Sequence, residues 1–526
     1  VGSEMCIRDR AASQVPSSMK ASVTKTSKVN DVYVLNPNYG LRDDIYRFIL
    51  FSKTNIRGVA SPDWMSFIHP AHAAMLSFFT HKRSLAENWQ LLARFFHCDV
   101  LKTEKLMLPF IENREAFFTT WNGREICFPR QLIIPIEKAG TEYHYKNLFP
   151  CNPTGTTVDT YTRRLYSGPL TLTLMLTNRC MTHCRYCYAD TRTQVQSVLT
   201  TSRILELIRE AATLPVQQIN LIGGEIFLHK DWDIILTELV KCGIEPEFIS
   251  TKMPFNAECL QKLKQTGYKN IIQVSLDAID AMVLNQSLSV SKSYAKQMMQ
   301  GLRMLDQSDL PYQVSSVLTT YNCNRQILSE LFQFLSTLKN LQDWRLTPVS
   351  NSITTNYRSF AELKPSHQEI SDIFRFLQES VALNAHFRII LNQGAIKKQY
   401  YSDEGGSMQF SGATCSALNN HLFILPDGKV TICEQLYWNS RFIIGDARES
   451  GLKDIWKSEK TLHLCNLSRN DIGNHSRCRT CICFEDCFKY GNRCWSDIIK
   501  AYGKECWDYP DPRCAFAPEM TNRLDY

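Results

Sequence analysis

Residues 171–177 read TLTLMLT, and residues 180–188 follow as CMTHCRYCY. The first run alternates polar and apolar side chains, the period of a half-buried strand. The second crowds Cys180, Cys184 and Cys187 into eight residues, with gaps of three and then two. Working outward, the period keeps switching up to about residue 395. A helix is expected over 202–214, with Ile204, Leu207, Ile208 and Ala211 on one face. Strands follow at 218–225, 246–251, 271–277, 313–320 and 343–349, with helices at 232–242, 256–266, 293–305 and 326–338 between them. Strands alternating with helices imply a parallel sheet. Six such units make an open, partial (β/α)6 TIM-like barrel, an α/β fold. Chemistry in such sheets sits at the carboxyl ends of the strands, which is where CMTHCRYC hangs.

The chain has 526 residues, 44% of them apolar and 21% charged, enough for two to four globular domains. The net charge of +7 is mild for this length and demands no nucleic acid. No run approaches the roughly 18 apolar residues of a membrane helix, so no membrane partner is expected. Residues 1–30 lack an apolar signal core. They read as a disordered or non-native head, since VGSEMCIRDR resembles a translated adapter. Residues 31–115 read as a small α+β unit. It has strand signals around a turn at 36–40 and two helices in HPAHAAMLSFFTHKRSLAENWQLLARFFHCD, the second capped by Ser84. A hairpin turning at Asn122-Gly123 and a polar linker fill 116–167, the barrel spans 168–400, and a cysteine-dense tail covers 408–526. Of the 20 cysteines, ten lie beyond residue 400. Without a secretory signal such clusters read first as metal ligands, in a cytoplasmic chain.

Three local thiols leave a position open, either on a zinc ion that awaits a distant fourth ligand such as His183, or on an iron–sulfur cube. Further motifs follow in order at strand ends: Gly223-Gly224-Glu225 after the second strand, Ser250-Thr251 at the third and Ser275-Leu276-Asp277 at the fourth. With Tyr186 as the aromatic residue before the last cysteine, this series resembles the radical S-adenosylmethionine (radical SAM) enzymes. Ile226 stands where that family usually has proline. The resemblance implies a [4Fe-4S] cluster on Cys180, Cys184 and Cys187, whose open iron chelates S-adenosylmethionine. Tyr186, Gly223, Gly224, Glu225, Ser250, Ser275 and Asp277 would then contact that cofactor. A bare Gly-Gly backbone would let its amino group approach, and Glu225 would accept hydrogen bonds from it.

In the tail, Cys415 and Cys433 flank Gly428, and Cys478, Cys481, Cys487 and Cys494 follow with gaps of two, five and six, then Cys506 and Cys514. This resembles the SPASM extension of peptide-modifying radical SAM enzymes, except that Gly491 stands where a cysteine is expected. The resemblance implies two auxiliary [4Fe-4S] clusters. One would use Cys415, Cys433 and Cys494. The other would use Cys478, Cys481, Cys487 and Cys514, with Cys483 and Cys506 as spares. A zinc-ribbon tail is the alternative. Cys98, Cys127, Cys151, Cys242, Cys259, Cys323 and Cys465 are expected to be small buried side chains.

The 31–115 unit resembles the winged-helix-like leader-recognition element of peptide maturases, which adds a leader as an extra strand, or else it is a plain helical cap. The resemblance therefore implies an enzyme that cross-links a ribosomally made peptide through thioether or carbon–carbon bonds. Its partners would be a precursor peptide with a leader and a low-potential electron donor such as a flavodoxin or ferredoxin. The alternatives are sulfatase-maturase-like side-chain oxidation and a non-catalytic iron–sulfur or zinc module. Trp344 and Arg345, at the sixth strand, are candidate pocket residues, or else a core Trp and a surface Arg.

Overall fold

The structure is a computed structural model that describes residues 30–53, 64–121, 124–140, 158–159, 162–191, 193, 195–214, 216–353, 357–392, 415–489, 493–522 and 524. The head, the Asn122-Gly123 turn, most of the polar linker, Cys151 and Gly491 lie outside them. The chain forms two units, Val1–Ser167 and Gly168–Tyr526.

In the second unit the strands are β1 (Thr171–Met175), β2 (Gln218–Ile222), β3 (Phe248–Thr251), β4 (Ile271–Ser275), β5 (Tyr312–Leu318) and β6 (Leu341–Pro348). All six anticipated strands are present. β2 pairs with β1, and β3 through β6 pair successively, all parallel. Two further strands extend the barrel. β7 (Arg388–Leu391) lies parallel to β6, and β8 (His421–Ile424), from the cysteine-rich tail, lies parallel to β1. β8 continues into the antiparallel strands β9 (Lys429–Thr431) and β10 (Ile443–Asp446). One strand order is thus β2-β1-β8-β9-β10 and the other β3-β4-β5-β6-β7.

The helices form for local reasons. Thr200 caps α1 (Thr201–Thr213) by accepting the Arg203 N–H, and α1 buries Ile204, Leu207, Ile208 and Ala211, the face anticipated from spacing. Between strands run α2 (Trp232–Cys242), α3 (Ala257–Gln265), α4 (Ala281–Leu288), α5 (Tyr294–Asp306) and α6 (Arg325–Leu335). The period-2 rule splits each strand between these helices and the barrel interior. Ile249, Ile272, Val274, Val314 and Leu346 are buried on the helix side. The other face is polar. Gln313 Nε2 donates to Gln273 Oε1 at 2.8 Å, and Gln273 Nε2 donates to Ser250 Oγ at 3.1 Å. One layer nearer the carboxyl ends, Ser275, Ser315 and Arg345 stand in register.

The first unit holds two three-stranded antiparallel sheets. One joins Tyr39–Asp43, Phe48–Ser52 and Met65–Ile68. The other joins Val32–Leu35 to Arg83–Ser84 and Ile133–Pro135. Helices cover Pro70–Ser77, Leu85–Phe95 and Val100–Met107. Ser84 caps the second of these in a capping box with Glu87. Leu35, Leu50, Phe79, Trp89, Phe128 and Ile133 share one core, so the hairpin of Phe117–Trp121 and Arg124–Phe128 belongs to this unit rather than to a linker. Arg47 is fully buried. It pairs with Asp44 at 2.8 Å, and donates to the carbonyls of Asp159, Thr162 and Arg164.

Candidate functional site

The cysteine loop leaves β1 and is gripped from two sides. Leu176 N–H donates to Ile222 O at 3.0 Å, Gly224 N–H to Thr177 O and Glu225 N–H to Arg179 O, both at 2.8 Å. A Cβ on Gly224 would stand 2.2 Å from Arg179 O, and one on Gly223 would stand 2.8 Å from Thr177 O. The glycine pair is therefore required by the loop that carries the thiols. This is a second reason for the pair, beside the one read from sequence, a bare backbone facing a ligand. On the other side His183 N–H and Arg185 N–H donate to Leu288 O and Ser287 O, both at 2.9 Å. They satisfy carbonyls at the end of α4 that would otherwise be orphaned.

Within the loop, the buried Thr182 Oγ1 lies 3.4 Å from Cys180 Sγ and 3.3 Å from Cys184 Sγ. Tyr186 donates its hydroxyl proton to Asp277 Oδ2. Asp277 Oδ1 accepts Val317 N–H at 2.9 Å. Lys252 Nζ donates to Tyr186 Oη at 3.1 Å and sits 3.8 Å from Asp277 Oδ2. The backbone N–H of Lys252 donates to Glu225 Oε2 at 2.9 Å, while Thr251 Oγ1 and Phe227 N–H donate to Glu225 Oε1 at 2.9 and 3.4 Å. Glu225, only 2% exposed, thus ties the ends of β2 and β3 together, with three of a carboxylate's roughly four acceptor sites filled. Asp277 likewise ties the cysteine loop to β5. Both have protein partners where the sequence led us to expect a ligand.

Burial raises the Glu225 carboxyl above the usual range. Burial also pushes up the thiols of Cys184 and Cys187, the latter to about 11, and the Lys252 ammonium opposes both shifts. For Lys252 burial acts downward, but Asp277 and then the three thiols outweigh it and its pKa is raised. Sequence reasoning missed Lys252, which follows directly on Ser250-Thr251. Its signal was a lone cation at a strand's carboxyl end, where its neighbours were already under suspicion. His183 is exposed, held by its backbone. Trp344 is not a pocket residue. It is fully buried on the helix side, its Nε1 donating to Ser316 Oγ at 2.9 Å, with Phe332 stacked beside it. Adjacent strand residues face opposite ways, so Arg345 is the one on the polar interior face.

The tail thiols gather in two sets. Burial pushes the Cys433 thiol well up, reinforced by Cys415 and Cys494. Cys478, Cys481, Cys483, Cys487 and Cys514 line one cavity with Arg493. Of the expected spares, Cys483 is in this cavity. Cys506 instead packs against the core of Ile498, Ala501, Tyr502 and Leu524. Of the isolated cysteines within the described residues, Cys259 and Cys323 are buried, while Cys98, Cys127, Cys242 and Cys465 are partly exposed. Among the described residues no three His, Cys, Asp or Glu side chains converge as they would on a single ion. The donor chemistry of both fields and of the loop is soft sulfur, with Lys252 beside the loop thiols and Arg493 beside the Cys478 field, and it fits anionic thiolate-bound groups. No helix among the described residues is long and apolar enough to cross a membrane.

Residues 174–335 match the Radical SAM superfamily, and residues 415–482 match SPASM, an iron–sulfur cluster-binding domain. Over 123 residues the chain is 32% identical to a probable GTP 3′,8-cyclase of Methanocella arvoryzae, covering 23% of this chain and 38% of that protein's length. It is 21% identical over 356 residues to a PqqA peptide cyclase of Granulibacter bethesdensis, covering 66% of this chain and 88% of the other. Among solved structures it resembles SuiB of Streptococcus suis bound to S-adenosylmethionine. The TM-score is 0.58 at 15% identity, over 92% of this chain and all of that one, a likeness of fold. The two matched domains imply S-adenosylmethionine and [4Fe-4S] clusters as cofactors. The chain thus carries a segment that matches the radical SAM superfamily, followed by one that matches a SPASM iron–sulfur cluster-binding domain.

Proposed function

We propose that this chain is a radical SAM peptide maturase, which installs a thioether or carbon–carbon cross-link in a ribosomally made precursor. The observation that carries the reading is the thiol triad Cys180, Cys184 and Cys187 at the carboxyl mouth of a polar-lined barrel, with the largely covered Lys252 side chain, 16% exposed, beside it. An iron–sulfur cube bound there would supply one-electron reduction of S-adenosylmethionine. The three thiols hold the cube. Lys252 offsets thiolate charge. The fourth acceptor site of Glu225 and the hydroxyl of Ser275 are available to polar groups of the cofactor. The interior face with Ser315 and Arg345 is available to the peptide.

The peptide substrate is supported by two relatives. The SuiB fold was also solved with its precursor peptide SuiA, and another relative is a PqqA peptide cyclase. In this reading the Val1–Ser167 unit receives the leader by strand addition. A low-potential flavodoxin or ferredoxin supplies the electron, and the reaction is cytoplasmic. The test is release of 5′-deoxyadenosine by anaerobically reconstituted, reduced protein given S-adenosylmethionine and candidate precursors. Release that rises with one peptide, and disappears when the three cysteines are changed to Ala, is the expected result. Release that survives those substitutions would sink the site assignment.

A further inference from the structure

Arg493 is 5% exposed, yet no carboxylate pairs with it among the described residues. Its Nε is buried without a hydrogen-bond partner, and one terminal nitrogen donates to Tyr509 O. Its charge rests between aromatic rings, 4.7 Å from the centroid of Phe488 and 5.6 Å from that of Trp495. Such contacts return only part of what burying an unpaired ion costs. The rings therefore do not offset the burial, and a negative partner is required.

The cavity that Arg493 lines with five cysteines is where such a partner would sit. The guanidinium already draws the Cys478 and Cys487 thiols downward against their burial. Asp511 lines the same cavity, but Arg513 takes both its oxygens, at 2.7 and 2.8 Å, and Cys494 N–H donates to it at 2.9 Å. Among the described residues, no cation acts on the Cys433 or Cys494 thiols of the other tail site. Cys433 is followed by the buried Glu434, and Cys494 neighbours Asp497, whose charge Lys500 and Arg513 balance at 3.5 and 3.1 Å.

We propose that Arg493 sets the reduction potential of the cluster held by Cys478, Cys481, Cys487 and Cys514, and raises it above that of the cluster at Cys415, Cys433 and Cys494. This rests on the iron–sulfur reading of the tail. One-electron reduction adds one negative charge to the cluster. A fixed cation with a free N–H stabilises the reduced form more than the oxidised one. The Arg493 site is then where an electron leaving the substrate comes to rest before an external acceptor removes it. Arg493 acts through the cluster and is a positioning residue, not a catalytic one.

The test is an EPR-monitored redox titration of the full chain, reconstituted anaerobically, as wild type, R493Q and R493K, with iron counted in each. Wild type must first hold more than the roughly four irons of a single cube. If it does not, the auxiliary-cluster reading falls, and the proposal with it. Given that iron, R493Q should lower the midpoint of one signal and leave the others in place, with R493K returning most of the shift. Loss of iron in R493Q that R493K repairs also supports a role for the charge. Unmoved midpoints in an iron-replete R493Q would overturn the proposal. So would equal movement of all signals, or iron loss that lysine does not repair, which would make Arg493 a stacking residue only.

Discussion

At the scale of single residues, the cysteine motif and its neighbours were legible because each is a rare side chain at a strand end. What those neighbours do was not legible. Gly224 was read as room for a ligand, and the structure adds that the Arg179 carbonyl packs where its Cβ would stand. We expect Gly224→Ala to displace the loop, with loss of iron from the triad and of S-adenosylmethionine cleavage while the tail keeps its iron. Iron counting beside the cleavage assay checks this. Lys252→Met would leave Asp277, 2% exposed, without its cation. Breaking such a buried pair should cost about 3 kcal/mol, read from urea denaturation of the apoprotein. His72, 6% exposed against Phe128, has its pKa lowered from 6.5 to about 4 by burial and then by His69. Between those values the unfolded chain binds a proton that the folded chain does not. Stability is therefore full above pH 6.5 and falls as pH drops toward 4, by about 3 kcal/mol. His72→Leu should flatten that slope in denaturation curves taken across the range.

At the scale of elements, long amphipathic helices and alternating strands were legible and short pieces were not. The face of α1 could be written down from spacing, whereas α4 has only eight residues, too few for a period to show. Yet α4 supplies the carbonyls that hold the cysteine loop. Strand β7 has four residues, RIIL, and nothing local in such a run names its partner. Trp344 and Arg345 were read together as pocket candidates, although a strand separates neighbours by face. The Ser84 cap was legible from its capping-box spacing. Ser84→Ala should lower stability by about 1 kcal/mol in urea titrations, since it frees the Glu87 N–H and the reciprocal Glu87 contact.

At the scale of the whole molecule, the order of barrel and cysteine-rich tail could be read from composition. The barrel was read as starting at 168, and the two units divide after Ser167; what composition did not show is that the hairpin read beside the linker joins the first core. Removing residues 1–167 should leave basal S-adenosylmethionine cleavage in place and abolish its rise with the precursor peptide. Peptide dependence that persists in the truncated chain would favour the sulfatase-maturase-like alternative. The tail also closes one flank of the barrel, since β8 pairs with β1 in register from His421–Thr171 to Ile424–Leu174. On a ribosome, β1 emerges about 250 residues ahead of that partner, an interval on the order of tens of seconds at usual elongation rates. Throughout it, the strand leading into Cys180, Cys184 and Cys187 keeps an open edge, a template for pairing with other nascent chains. The cell must shield that edge, so yield in a heterologous host should depend on translation speed and holdase chaperones as well as on iron supply.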